Sequence, residues 1–156
     1  MFQDFGIGPS RDLVQLIEQS ADELTKSCLK DLGSHWGTPT YHTYDERELY
    51  QRAYTVYSQL GKWISRATSK EDIARHYMAL GAQRRKEGFP LAEVVQALIL
   101  IRRHLWFKVL RSGFLDTALE LNQALDLNNR VLIFFDRAIY YTCKGYEQEL
   151  MFPEGS

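Results

Sequence analysis

Residues 90–112, PLAEVVQALILIRRHLWFKVLRS, allow few conformations. Pro90 suits the first turn of a helix, where a missing N–H costs nothing, and about 23 residues without an interior Gly or Pro follow it. A helix this long and this apolar must be covered by its neighbours, so the chain has to be built around it. At 100° per residue Leu91, Val95, Leu98, Leu105 and Val109 share one stripe, flanked by Val94, Ile101 and Trp106. Arg102 falls in the middle of that stripe.

Similar patterns lie on both sides. Ser10 suits the N-cap of a helix ending near Leu32, with Leu13, Leu16, Ile17, Ala21, Leu24 and Cys28 inward and Gly33 at its end. The next segment, GSHWGTPTYHTYD, has no helical period, and its Trp36, Tyr41 and Tyr44 predict a loop that packs against the body. Thr43 or Asp45 caps a second helix running to about Arg66. Ser69, with Glu71 and Asp72 after it, opens a third that stops at Gly88 with the stripe Ile73, Tyr77, Leu80, Arg84. After Gly113, helical spacing resumes from Leu115 to Leu125, LDLNNR breaks or bends it, and a last helix spans about 130–151. Its inward residues read Leu132, Phe135, Ile139, Cys143, Tyr146 and Leu150. The expected fold is therefore all-α: a single-domain bundle of five to six helices over residues 10–151, with a long central and a long C-terminal helix. A loose lead over 1–9 and a tail over 152–156 complete it.

A 156-residue chain is the usual size of one domain, and 45% hydrophobic with 25% charged residues is ordinary for a globular one. Its 19 basic and 20 acidic side chains leave a net charge of −1, which gives no field to attract nucleic acid or an anionic membrane. No apolar run approaches the length of a spanning helix, and the start, MFQDFGIG, lacks the features of a signal peptide. Cys28 and Cys143 stand outside any CxxC spacing and read as free thiols of a cytoplasmic protein.

Catalytic wording is missing. His35, His42, His76 and His104 do not share a helical turn, which argues against a zinc set, and Walker loops, nucleophile elbows and GxGxxG turns are absent. The expectation is no enzyme and no cofactor. A haem-binding globin-like gas sensor is the rival that His104 invites, but the residue projects about 220° from Leu91, off the core stripe, as an exposed or interface histidine. His76, four residues after Asp72, reads as a hydrogen-bonded structural histidine.

Charges on apolar stripes carry more information. Arg102 on the central helix and Asp136 on the last one would each cost several kcal/mol if buried alone. The sequence therefore predicts that they pair, with Arg84 as the competing partner for Asp136. Such a pair either fixes helix register or floors a small-molecule pocket, and for the second role the candidate ligand-binding residues are Arg102, Asp136, Arg84, Tyr77 and Trp106. Surplus apolar edges at Tyr50, Tyr54, Leu100, Phe107, Phe134 and Tyr141 suggest a homodimer.

Residues 77–110, with LGAQRRKEGFPLAEVVQALILIRRHLWFKVL, and 131–150, with LIFFDRAIYYTCKGYEQEL, resemble the N-terminal domain of the RsbT co-antagonist protein RsbRD family. Gly81, Arg84, Gly88, Phe89, Arg102, Arg103 and Trp106 carry the first likeness, and Asp136 and Tyr146 the second, within a looser similarity over residues 10–150. The resemblance implies an all-helical cytoplasmic input module that receives a signal and passes it to an output kinase or STAS-type regulator. The chain ends soon after its last helix, so the same reading expects an excised or free-standing input module. A ligand-free helical scaffold for other proteins is the remaining alternative.

Overall fold

A computed structural model describes residues 11–113 and 115–152. Its helices are α1 (Arg11–Gln19), α2 (Ala21–Leu32), α3 (Glu46–Ser58), α4 (Leu60–Trp63), α5 (Lys70–Lys86), α6 (Leu91–Leu110) and α7 (Ala118–Met151), with a 3-10 turn at Pro39–His42. There is no strand among the described residues, and no described helix is long and apolar enough to cross a membrane. The expected all-α bundle, with its long central and C-terminal helices, is what the chain forms. The loose lead, the Ser10 cap and most of the tail fall outside the described residues.

Helix boundaries follow local chemistry where capping groups exist. Asp45, not Thr43, caps α3 by accepting from the N–H groups of Arg47 and Glu48. Ser69 and Asp72 form a reciprocal capping box at the start of α5, and Thr117 with Glu120 does the same for α7. Gly88 (φ +86°) and Gly113 (φ +80°) take the left-handed conformation just past the ends of α5 and α6.

Three expectations need correction. The single helix foreseen over 10–32 divides at Ser20 (φ −93°, ψ 11°), although α1 and α2 keep the one buried face of Leu13, Ile17, Ala21, Leu24 and Cys28. The second helix stops at Gln59, and α4 follows as a single turn that buries Leu60 and Trp63. In the other direction, LDLNNR neither breaks nor bends into two elements: α7 runs 34 residues through it. Asn128 and Asn129 are weak helix formers, but Ala124, Leu127 and Val131 are fully buried on either side of them, and Arg130 Nε donates to Asp126 Oδ2 at 2.8 Å one turn earlier. Tertiary burial outweighs a propensity deficit of a few tenths of a kcal/mol per asparagine.

The two faces of α6 explain the architecture. Val94, Ala97, Leu98, Ile101, Leu105 and Val109 are buried along one side of α6 and Glu93 and Leu100 along another, in a helix that packs against both α7 and α2. That loop is pinned by Glu93, whose carboxylate accepts from Thr40 N–H (2.6 Å) and Thr40 Oγ1 (2.8 Å). Tyr41 and Tyr44 stack on fully buried Phe89, with centroids 4.6 and 4.7 Å away, so the loop packs as expected. Trp36 is the exception, at 88% exposure.

The closest contact in the fold is between α5 and α7. A Cβ built on Gly81 would lie 2.0 Å from the Thr142 carbonyl oxygen, and one on Gly145 would lie 2.0 Å from that of Met78. Only hydrogen at these two positions lets the backbones touch. Tyr146 Oη donates to the Phe89 carbonyl at 2.7 Å, fastening α7 to the α5–α6 turn.

Candidate functional site

Helices α3 and α5 face each other without packing, and the space between them is a groove of about 1210 Å³. Its floor is α6 (Val94, Ala97, Leu98, Ile101), its walls are α3 (Leu49, Arg52, Ala53, Val56) and α5 (His76, Tyr77, Leu80, Arg84), and Trp63 of α4 closes one end. The volume lies slightly above the roughly 300–1000 Å³ of most small-molecule sites, and a mainly apolar lining with a few convergent polar groups is the usual composition of one.

Those polar groups gather at the end near the loop. Arg84, only 7% exposed, donates from Nη1 to Glu87 Oε1 at 3.0 Å. Arg52 donates from Nη2 to Glu87 Oε2 at 2.7 Å and lies over the Tyr44 ring, 5.1 Å from its centroid. Two guanidiniums therefore share one carboxylate. Burial draws the Arg84 guanidinium below its ordinary value, and the charge on Arg52 adds to the effect against the opposing pull of Glu87. For Arg52, burial acts the same way, but its bonds to Glu87 and Tyr44 more than offset it and leave it raised. Burial also raises the Glu87 carboxyl, yet the bonds from Gln83 and Arg52 and the two positive charges outweigh it and hold the carboxyl below the usual range.

Two buried donors bordering this groove have no acceptor among the described residues, Arg52 Nη1 and Trp63 Nε1. An unmet buried donor costs on the order of 1–3 kcal/mol, so each is a standing demand for an acceptor. Trp63 stacks on Phe134 of α7 and lies against His76 and Tyr77, with centroids 4.9 to 5.7 Å apart. His76, which has ring contacts rather than the hydrogen bond expected of it, is lowered by burial and by the nearby Lys62 charge.

Of the five residues proposed from sequence, Arg84 and Tyr77 line the groove, and Arg102, Trp106 and Asp136 do not. The Arg102–Asp136 ion pair is not formed: Asp136 is exposed, Arg102 is half-buried, and Arg84 is engaged by Glu87 instead. The cause is rotational. The buried arc of α6 centres on Val94, Ala97, Leu98 and Ile101 because α2 covers the side opposite α7, which turns Leu91, Val95, Arg102 and Trp106 to a half-buried edge. On α7 the inward arc is Val131, Phe134, Phe135, Ala138, Thr142 and Gly145, so Leu132, Asp136 and Leu150 face outward. Leu100 and Phe134, expected at a dimer edge, are buried for the same reason, while Tyr54 and Phe107 do remain exposed.

His104 is neither in the core nor free at an interface. Its Nε2 lies 2.9 Å from Asp31 Oδ2, joining α6 to α2. Both cysteines are free, and burial pushes the Cys28 thiol up to about 12, so it is inert. Among the described residues no group of three or more His, Cys, Asp or Glu could hold a metal.

Sequence reasoning missed Arg52, Glu87 and Trp63 as site residues. Glu87 follows Arg84 by three positions at the end of α5, a spacing that brings the two side chains together. Arg52 precedes Ala53 beside the core stripe of α3, and nothing local marks it as a partner of a residue 35 positions away.

Comparison with known proteins gives one match. No curated protein and no solved structure is similar to the chain at a significant level. Residues 38–150 match the RsbT co-antagonist protein rsbRD N-terminal domain, the whole of α3 to α6 and all but the last residue of α7. The chain belongs to the RsbT co-antagonist protein RsbRD N-terminal domain family and is, with it, a regulatory domain of stress signalling.

Proposed function

We propose that this domain is a cytoplasmic sensory input module without catalytic activity of its own, which binds a small ligand in the α3–α5 groove and relays the binding through α7. The observation that carries this reading is the double role of α5. One of its faces lines the groove with His76, Leu80 and Arg84, and another meets α7 backbone to backbone at Gly81 and Gly145. Packed helices with no free space between them shift as units rather than deform, so a ligand that draws α3 and α5 together biases α7. Output to a kinase or STAS-type regulator would then be read from the C-terminal part of α7.

A metabolite library screened by thermal shift tests this, with a Leu80→Trp variant whose indole fills the groove as the control. Compounds that raise the melting temperature of the wild type but not of the variant support the reading. A library in which every stabilising compound acts equally on both proteins contradicts it.

Self-association belongs to the same proposal. Leu121, Leu125, Leu132 and Leu150 lie within a narrow arc on the outer face of α7 and are 37–53% exposed. An apolar stripe along a 34-residue helix is what a second copy would cover, and a two-fold interface there would place two output helices side by side. The haem alternative is disfavoured because the Nε2 of His104 is already held by Asp31. For a ligand-free scaffold, no such compound would be found.

A further inference from the structure

Two tyrosines define the ligand more narrowly, given the reading above that the groove is a ligand site at all. A buried phenol ordinarily finds a hydrogen-bond partner, as Tyr57 does by donating to the Ile101 carbonyl at 2.8 Å. Tyr41 and Tyr77 are also buried, 7% and 1% exposed, and both line the groove. Neither hydroxyl is hydrogen-bonded to another described residue. The unmatched side-chain atoms that are completely enclosed are Arg52 Nη1, Trp63 Nε1 and Thr142 Oγ1, so the two phenol hydroxyls open on the groove while the two nitrogens beside it are beyond a ligand's reach.

Charge at the loop end cancels. Arg52 and Arg84 with two positive charges, and Glu93 and Glu87 with two negative ones, all act on Tyr41, and Glu87 accepts from both guanidiniums. At the Trp63 end Asp72 and Arg75 pair at 3.3 Å, and Lys62 is exposed, 5.3 Å from the centroid of the Trp63 ring. His76, lowered by burial and by the Lys62 charge, is neutral at pH 7. An ion entering from water would meet no buried counter-charge to replace its hydration.

We infer that the groove takes an uncharged, oxygen-bearing lipophile, a chain or ring body whose carbonyl, ether or hydroxyl oxygen accepts from the Tyr41 or Tyr77 hydroxyl. Such an oxygen gives each phenol the bond it lacks without bringing a charge into a balanced site. The apolar body lies on Ala53, Val56, Leu80, Leu98 and Ile101. Tyr77 precedes Arg84 by about two turns of α5, about 10 Å at 1.5 Å per residue, and Tyr41 lies where the Arg84 charge reaches it. The hydroxyls therefore stand toward opposite ends of the apolar floor, and a ligand with an oxygen at each end can meet both.

Isothermal titration with decan-2-one, decanoate and decylammonium, all below micellar concentration, tests the assignment on the wild type, on Tyr41→Phe, Tyr77→Phe and their double variant, and on Leu80→Trp. Decan-2-one should bind one per chain and about tenfold or more tighter than either ion. The double variant should weaken the ketone about fivefold or more, and at least one single variant should show part of that loss. Because neither hydroxyl has an internal bond to lose, all three phenylalanine variants should melt no lower than the wild type. Either ion bound as tightly as the ketone or tighter, and lost in Leu80→Trp, would overturn the assignment of an uncharged ligand while leaving the groove as a ligand site. Ketone binding unchanged in the double variant, or phenylalanine variants that melt several degrees lower or fail to fold, would overturn the role given to the two hydroxyls. Ketone bound undiminished by Leu80→Trp, or no binding of the ketone, would overturn the assignment; the undiminished case alone would also count against the groove.

Discussion

Replacing Gly81 by alanine adds one methyl group at the point where α5 and α7 touch. Its Cβ would sit 2.0 Å from the Thr142 carbonyl oxygen, 2.8 Å from Tyr146 N and 2.9 Å from the Thr142 carbonyl carbon, all backbone atoms that cannot swing aside. Ordinary contact requires about 3.4 Å or more, so the two helices must part by roughly an ångström along a seam that also buries Ile73, Tyr77, Phe134 and Ala138. Overpacking of this kind costs about 1–3 kcal/mol where side chains can yield, and more where backbone must move. Alanine returns about 1 kcal/mol through its helix propensity. The net loss is therefore about 2 kcal/mol, and at about 2–4 °C per kcal/mol for a domain of this size the melting temperature falls by about 4–8 °C. Circular dichroism melts of Gly81→Ala and Gly145→Ala, with urea titrations to confirm, measure it. Because the two positions share one seam, the double variant should fall short of the sum of the singles. A Gly81→Ala protein as stable as the wild type, or more so, would refute the close-contact argument and with it the rigid link between groove and output helix.

Three further outcomes follow from the side chains around that link. Glu87 has a depressed carboxyl, so its contribution to stability is complete above the ordinary carboxyl value of about 4.3 and is lost as pH falls through its lower folded value; Glu87→Gln should cost about 2–4 kcal/mol at pH 7 and flatten the stability profile below pH 4, as read by urea midpoints across pH. Glu93→Ala strands the Thr40 amide and hydroxyl and should release the loop of Tyr41 and Tyr44, seen as faster amide exchange over residues 34–45 and a loss of about 1–3 kcal/mol. Asp136→Ala, at an exposed position, should shift stability by less than about 0.5 kcal/mol, and a large loss would restore the buried-pair idea that the coordinates reject.

Sequence carried the class of fold and most helix boundaries because capping residues and helix-ending glycines act locally: Asp45, Ser69, Gly88 and Gly113 each do what their chemistry dictates. It failed on the rotation of α6 and α7. A single helical projection assumes one covered face, and α6 has two, so the centre of its buried arc moves away from Arg102. The same error on α7 turned Asp136 inward on paper and outward in space. The groove was half legible. Arg84 stood out as a charge on an apolar stripe, and Tyr77 shared that stripe, but Arg52 reaches Glu87 only through tertiary folding. The empty space between α3 and α5 leaves no mark in hydrophobic periodicity, since a residue lining a groove and a residue packed in a core share one pattern.

The most direct test of the relay is amide hydrogen exchange along α7 in the wild type and in Leu80→Trp, whose indole wedges the groove without any assumption about the natural ligand. If α5 carries the state of the groove to the output helix, exchange changes over residues 134–149, where α7 lies on α5, and not over 118–125. A change confined to α3 and α5, with α7 exchanging as in the wild type, would contradict the account.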